Sequence, residues 1–389
     1  MGRIYSSFSF RLSLPDIPKT NKTHYNVALL IIDSLSQQGL QRNLPMTKSY
    51  LDSQGGILFL GHHKVGGNSY PNDMALLSGE LGGPNPPDHE GIYYLDEERQ
   101  PLIQDVYRSH GYITLYMEDF QLHGTFARKN TIGFKKPPVD IYYRGPFLAM
   151  ISEWVQNQIV GTYDSYACLQ EQLVHKHEFR IIQDFIDMYS NTPNFLVTHL
   201  NEYTHNDLNM AKLYDQDMRD MLENIIKSGA LDNTFFVLLG DHGFQRAENP
   251  FTLTSQGKIE EAMPAFYLIP PKHLAIHNKR ILKKLEKNSQ MLTSFWDANQ
   301  MLRDLLALSV ENRTTEDLFD QFEGHGISLL EDVGDRDCEE AEIPAGICQC
   351  TDGTEHLNDD EAEKWARTLL LDTNNFLFSN QLRNGFHKS

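Results

Sequence analysis

Two runs of the chain are apolar almost throughout, Asn26 to Ile32 (NVALLII) and Thr234 to Gly240 (TFFVLLG), and each is followed by an acid, Asp33 and Asp241. Their length and their β-branched and aromatic content predict strands buried on both faces, as in a parallel sheet with helices above and below. Asn194 to His199 (NFLVTH), Tyr112 to Tyr116, Ala265 to Ile269 and Ile57 to His62 read the same way. Between these runs the pattern becomes helical. Leu208 to Ile226 sets Leu208, Met210, Leu213, Met218, Met221, Leu222 and Ile225 at helical spacing, and Leu35 to Leu51, Leu102 to His110, Glu171 to Tyr189 and Asp297 to Leu308 are further helix candidates. Strand and helix in repeated alternation predict an α/β fold with a doubly wound, mostly parallel central sheet and helices on both faces.

Around that core the sequence divides into an irregular leader over residues 1–24, a main domain over 25–330 and a cysteine-bearing extension over 331–389 that ends in an amphipathic helix, Asp360 to Leu371. Gly79 to Gln100, rich in Gly, Pro and acids, and the Pro-, Tyr- and Arg-rich Phe134 to Phe147 predict loops long enough to rim a pocket. Gly66-Gly67-Asn68-Ser69-Tyr70-Pro71 predicts a tight loop opening a short helix that runs through Leu77. No internal repeat interrupts this order.

With 389 residues and 40% hydrophobic content, the chain is able to bury a large core. A formal net charge of −19 disfavours nucleic acid and anionic membrane surfaces as partners, since both call for a basic face. No apolar stretch reaches the length of a membrane span. The N-terminus, MGRIYSSFSF, lacks the apolar core of a secretory signal, which leaves a cytoplasmic location as one alternative. The cysteines favour the other. Cys338, Cys348 and Cys350 cluster near the end with Cys168 far upstream, a set compatible with two disulfides and an oxidising compartment, or with reduced, inert thiols. Glycosylation sequons at Asn21 and Asn312 lean towards the secretory pathway.

The candidate chemistry lies at the ends of the apolar runs. Ligands of open α/β sheets bind at the carboxyl edge of the strands, where Asp33, Asp241 and His242 would be delivered. Two carboxylates, one imidazole and the hydroxyl of Ser69 make a four-ligand set suited to a divalent cation, zinc or manganese first, with calcium or magnesium also admissible. A cation there would activate Ser69 as a nucleophile, and the start of its helix would favour an oxyanion. For such a site to exist, the Asp33 and Asp241 carboxylates must lie within about 8 Å of each other. Asn68, Asn72 and Lys258 are candidate substrate contacts. His205 is a candidate substrate contact or general acid.

Those residues, taken in order, carry a resemblance. Asp33, Asn68-Ser69-Tyr70-Pro71-Asn72, Glu202 and His205, Gly240-Asp241-His242-Gly243, the run from Gly257 to Pro264, Gly326-Ile327-Ser328-Leu329 and the cysteine pattern from Asp337 to Cys350 resemble the sulfatase-like family known as domain of unknown function 229, in the alkaline-phosphatase superfamily. The resemblance covers residue 25 to about Cys350. It implies an alkaline-phosphatase-like catalytic domain, a metal at Asp33, Asp241 and His242, a nucleophile at Ser69, a secreted or lumenal location, and an anionic small-molecule, lipid-headgroup or glycan ester as substrate. Sulfatases proper convert a residue within a motif that ends in Arg; here Asp73 stands in place of that Arg, so an unmodified serine acting on a phosphoester is expected. One metal is expected rather than two, with Glu202, His205 and His325 as the residues available to a second metal or to substrate. The expected reaction is hydrolysis of a phosphate or sulfate ester through a covalent seryl intermediate. The alternatives are transfer of a phosphoglycerol- or phosphoethanolamine-type group, or a non-catalytic binding role.

Overall fold

The computed structural model describes residues 24–80, 101–119, 124–127, 133–144, 168–169, 172–310, 313–322 and 324–350. Residues 1–349 make up one compact unit and residues 350–389 a second, of which Cys350 alone is described. The expected leader, most of the 79–100 loop, the terminal amphipathic helix and both sequons fall outside the described residues.

The apolar runs become strands. These are β1 (Asn26–Ile32), β2 (Ile57–Leu58), β3 (Gly61–His63), β4 (Ile113–Glu118), β5 (Ile141–Tyr142), β6 (Cys168–Leu169), β7 (Gln172–Leu173), β8 (Asn194–Leu200), β9 (Thr234–Gly240), β10 (Phe266–Ile269) and β11 (Leu292–Ser294). Seven of them form the central sheet in the order β2-β10-β9-β1-β8-β4-β5. Pairing is parallel from β9 through β1, β8 and β4 to β5, and β10 runs antiparallel to both of its neighbours. The mostly parallel α/β sheet expected from the hydrophobic pattern is therefore present.

Side-chain alternation divides the core in two. Val27, Leu29 and Ile31 of β1, Phe195 and Val197 of β8, and Phe235, Val237 and Leu239 of β9 pack in one cluster with Met74, Ile103 and Trp296. Ala28, Leu30 and Ile32, with Leu196, Phe236 and Leu238, pack in the other, with Leu40, Phe179 and Met218. Helices Ser69–Ser78, Ile103–Ser109 and Phe295–Ser309 thus cover the first face, and Gln37–Asn43, Val174–Met188 and Asp215–Ser228 cover the second. Each buried Leu, Ile, Val or Phe contributes roughly 1.5–3 kcal/mol relative to exposure.

Boundaries depart from the pattern where local chemistry intervenes. The helix expected over Leu35 to Leu51 is two, Gln37–Asn43 and Pro45–Ser53, because Pro45 cannot donate a backbone hydrogen bond and pushes Leu44 out of the helical region. The strand expected over Ile57 to His62 is split, with Ile57–Leu58 pairing with β10 and Gly61–His63 pairing with β11. The helix from Leu208 begins instead as a 3-10 turn, Met210–Leu213, before Asp215–Ser228. The cysteines form one described disulfide, Cys338–Cys348.

Candidate active site

The register of the sheet sets the level of the site. Ile32 pairs with Leu200 on one side and with Gly240 on the other, so the chain leaves β1, β8 and β9 at one height, with Asp33, Asn201 and Asp241 as the next residues. Asp33 and Asp241 are fully buried and continue the alternation that points Ile31 and Leu239 to the first face. Helix Ser69–Ser78 lies over that face and brings Ser69, its first residue, to the same edge.

The four side chains singled out from the sequence meet here. Ligand atoms of Asp33, Asp241 and His242 lie within 4.8 Å of one another. His242 Nε2 stands 3.6 Å from Asp33 Oδ1, 3.4 Å from Asp241 Oδ2 and 3.4 Å from Ser69 Oγ. Its Nδ1, 2.8 Å from the Gly243 carbonyl, has only an acceptor to face and so donates to it, which turns Nε2 towards the site. Asp241 Oδ1 accepts from Ser34 N (2.9 Å) and His242 N (2.8 Å). To donate in this way Ser34 adopts φ 60°, a left-handed conformation that is strained for a non-glycine residue.

The remaining oxygens are not satisfied. Both oxygens of Asp33 and Oδ2 of Asp241 are buried and make no hydrogen bond. Burial first, and then the neighbouring Asp241 charge, push the Asp33 carboxyl well above the ordinary range. Buried carboxylate oxygens in this state are costly, and a divalent cation removes the cost by taking the place of the missing donors. The donor set, two carboxylates, an imidazole and a hydroxyl, fits such an ion.

Sequence reading missed a second layer behind Asp241. His199, buried in β8, lies with Nε2 3.7 Å from Asp241 Oδ2 and Nδ1 3.2 Å from Asp73 Oδ2 and 3.9 Å from Glu118 Oε1. Thr125 ties the group together, donating from Oγ1 to Asp73 (2.7 Å) and from N to Glu118 (2.6 Å). Burial depresses His199, but the charges of Asp73, Asp241 and Glu118 outweigh it and hold the imidazole well above its usual value. The available signal was a histidine at the end of an otherwise apolar strand. Asp73 has a place of its own here, one turn after Ser69.

A cavity of about 340 Å³ opens on the site, lined by Asp33, Ser34, Asn68, Ser69, His205, His242, Gln245, Arg246, Ala247 and Glu248. Arg246, also missed, donates from Nε to the His205 carbonyl (2.9 Å) and sets Nη2 within 2.5 and 2.9 Å of the two ring nitrogens. A guanidinium only donates, so the ring nitrogen receiving it carries no proton and the other does. Burial, Arg246 and His242 lower His205 to about 4, so its imidazole is neutral at pH 7. His205 therefore stands at the cavity wall, held by Arg246. Gln245 Nε2 lies 3.2 Å from His242 Nε2.

Four expected residues are placed elsewhere. Asn72 is fully buried and clamps the loop before Ser69: its Oδ1 accepts from Val65 N and Gly66 N, and its Nδ2 donates to the Gly66 and Asn68 carbonyls. Lys258 is exposed on helix Ser255–Ala262 and does not line the cavity. The motif around it acts through its neighbours: Glu260 accepts from Ser36 and Arg42, Glu261 pairs with Lys64, and a Cβ on Gly243 would lie 1.8 Å from the Glu260 carbonyl. Glu202 does not line the cavity, and its backbone N–H donates to Asp119. His325 packs on Trp296 and pairs with Glu342, because Gly326 at φ 72° lets the turn close on Trp296.

Comparison with known proteins adds three findings. A family model described as "Protein of unknown function (DUF229)" matches residues 12–384. No curated protein matches the chain. Solved structures that align with it include the C-terminal periplasmic domain of EcEptC from Escherichia coli (12% identity, 79% of this chain and 90% of that one, TM-score 0.49). The PsFucS1 sulfatase from Pseudoalteromonas sp. aligns at 13% identity over 81% of this chain and 74% of that one, TM-score 0.49. A protein in the alkaline phosphatase superfamily from Vibrio parahaemolyticus aligns at 13% identity over 76% and 69%, TM-score 0.46.

Proposed function

The chain belongs to the family described as protein of unknown function (DUF229), and from that footing we propose that it cleaves phosphate or sulfate esters with Ser69 as nucleophile and one divalent cation held by Asp33, Asp241, His242 and Ser69. The observation that carries this reading is the convergence of the buried Asp33 and Asp241 carboxylates with His242 Nε2 beside a serine hydroxyl. A bound cation would lower the pKa of the serine hydroxyl and offset charge on the ester oxygens.

The chain's own residues account for the rest. Ser69 Oγ gives up its hydroxyl proton to solvent and forms a bond to phosphorus or sulfur while the bond to the leaving oxygen breaks, and the departing alkoxide takes a proton from solvent. Water, or an acceptor alcohol in a transferase, then attacks the seryl ester, and Ser69 Oγ leaves with the electron pair it brought. Asn72 holds the loop that presents Ser69. His242, held through Nδ1 by the Gly243 carbonyl, keeps its Nε2 towards the site. His205, in the cavity wall with Arg246, is a contact for the substrate's ester group. His199, backed by Asp73, orients Asp241. The Cys338–Cys348 disulfide supports an oxidising compartment.

The test is elemental analysis of purified protein coupled to a panel of aryl phosphate monoesters, aryl phosphodiesters and aryl sulfates. One equivalent of metal with turnover of at least one ester, abolished in Ser69→Ala with metal content and folding retained, is the expected result. Unchanged activity in Ser69→Ala excludes Ser69 as nucleophile.

A further inference from the structure

We propose that Arg246 reads the charge of the group being transferred and restricts the enzyme to esters whose transferred group carries a single negative charge, phosphodiesters or sulfate monoesters, against the dianion of a phosphate monoester. This inference rests on the reading of the pocket as an esterase site. Among the described residues that line the cavity, Arg246 is the one Lys or Arg. A divalent cation would be offset by Asp33 and Asp241, so among the described lining residues the Arg246 guanidinium is the positive charge left to face substrate. At the mouth the chain adds an acid, Glu248, exposed and also lining the cavity. The local field therefore matches one negative charge and opposes a second, because close like charges in a cleft repel and unmatched charge must be desolvated without return.

Arg246 is built for recognition rather than for a loose surface charge. Its Nε and Nη2 are anchored on the His205 carbonyl and ring, which fixes the guanidinium plane at the pocket wall. No hydrogen bond from Nη1 falls among the described residues, so one edge of the fork remains available to an ester oxygen. Asn68 and Gln245, which share the wall, are neutral and add hydrogen bonds without adding charge. The pairing of Arg246 with His205 also makes the two act together: moving one removes the support of the other.

The experiment has two arms on the zinc-loaded protein at pH 8. In the first, calorimetry measures binding of dimethyl phosphate, methyl sulfate and methyl phosphate; the two singly charged probes are expected to bind at least tenfold tighter than the doubly charged one. In the second, kcat/KM is measured for aryl phosphodiester, aryl sulfate and aryl phosphate. Arg246→Ala is expected to lower the value for the singly charged esters ten- to hundredfold, the worth of a charge-assisted hydrogen bond. Arg246→Lys is expected to keep the order of substrates while losing part of the rate. Because Arg246→Ala also withdraws support from His205, Glu248→Lys serves as a second variant: it adds positive charge at the mouth and is expected to shift both arms several-fold towards the monoester. Tighter binding of methyl phosphate by the wild type, or a preference unmoved by both Arg246→Ala and Glu248→Lys, overturns the proposal. If no ester is turned over, the esterase reading fails, while the binding arm still decides whether Arg246 selects a single charge. A preference for either phosphodiester or sulfate supports the proposal and identifies the source of the charge.

Discussion

Substituting Asp33 by Asn gives a response whose sign depends on metal. In metal-free protein neither Asp33 oxygen has a hydrogen-bond partner, and Asp241 Oδ2 lacks one as well. Burial and the Asp241 charge raise the Asp33 carboxyl well above 3.8, so the folded chain keeps a proton that the unfolded chain releases. Stability of the metal-free wild type therefore falls as pH rises from about 3.8 towards the raised native value, since the unfolded state then binds fewer protons. An Asn at position 33 has no charge to lose and brings an amide donor to Asp241. At pH 8, metal-free Asp33→Asn is expected to be more stable than metal-free wild type by roughly 1–3 kcal/mol, the usual cost of a buried polar group left unsatisfied. An unfolding entropy of about 2.1 cal/mol/K per residue over the 349-residue unit makes 1 kcal/mol worth about 1.4 °C, so the shift is about 1.5–4 °C upward. Metal inverts the order. At a free concentration of about 100 Kd the wild type gains about 2.7 kcal/mol, or about 4 °C, and the variant, short of one ligand, gains little. Scanning calorimetry on chelator-stripped and zinc-loaded samples reads both. A variant less stable in both states, or one that gains as much from zinc as the wild type, refutes the reasoning.

Other substitutions separate scaffold from site. Asn72→Ala leaves the Val65 and Gly66 N–H groups buried without acceptors, so a loss of about 2–5 kcal/mol in chemical denaturation and at least a tenfold drop in turnover are expected, with metal content retained; unchanged turnover would place Asn72 outside the support of Ser69. Gly243→Ala would set a Cβ 1.8 Å from the Glu260 carbonyl, and a loss of about 1–3 kcal/mol together with weakened metal binding is expected. Wild-type metal affinity in that variant would show that His242 tolerates the displacement. His205, lowered to about 4, gains its second proton only below that pH; a ring resonance in NMR that stays in the neutral form from pH 5 to 8 is expected, and a midpoint near 6.5 would contradict its contact with Arg246.

The sheet was legible because strands buried on both faces leave nearly unbroken apolar runs, and the acids at their ends stand out against that background. Asp33, Ser69, Asp241 and His242 converge for the same reason, since parallel strands in register deliver their carboxyl ends to one level. What stayed hidden depends on packing between distant segments. Arg246 reads as an ordinary loop residue until the turn after Asp241 folds onto His205. His199 reads as the last residue of a strand until Asp73, one helical turn beyond Ser69, comes to face it. The misplaced residues err in the opposite direction. Asn72 and the Lys258 and His325 motifs accompany the site in sequence but serve its scaffold, through the loop clamp, the Glu260 and Glu261 ion pairs and the turn against Trp296. Short motifs mark what must be positioned without saying which member does the positioning.

If one cation sits among Asp33, Ser69, Asp241 and His242, anomalous X-ray scattering at the zinc or manganese edge from crystals of the metal-loaded protein will locate it. The expected result is a single strong peak about 2.0–2.3 Å from ligand atoms of Asp33, Asp241 and His242. A map with no peak there, or with the metal held only by residues outside this group, would contradict the account.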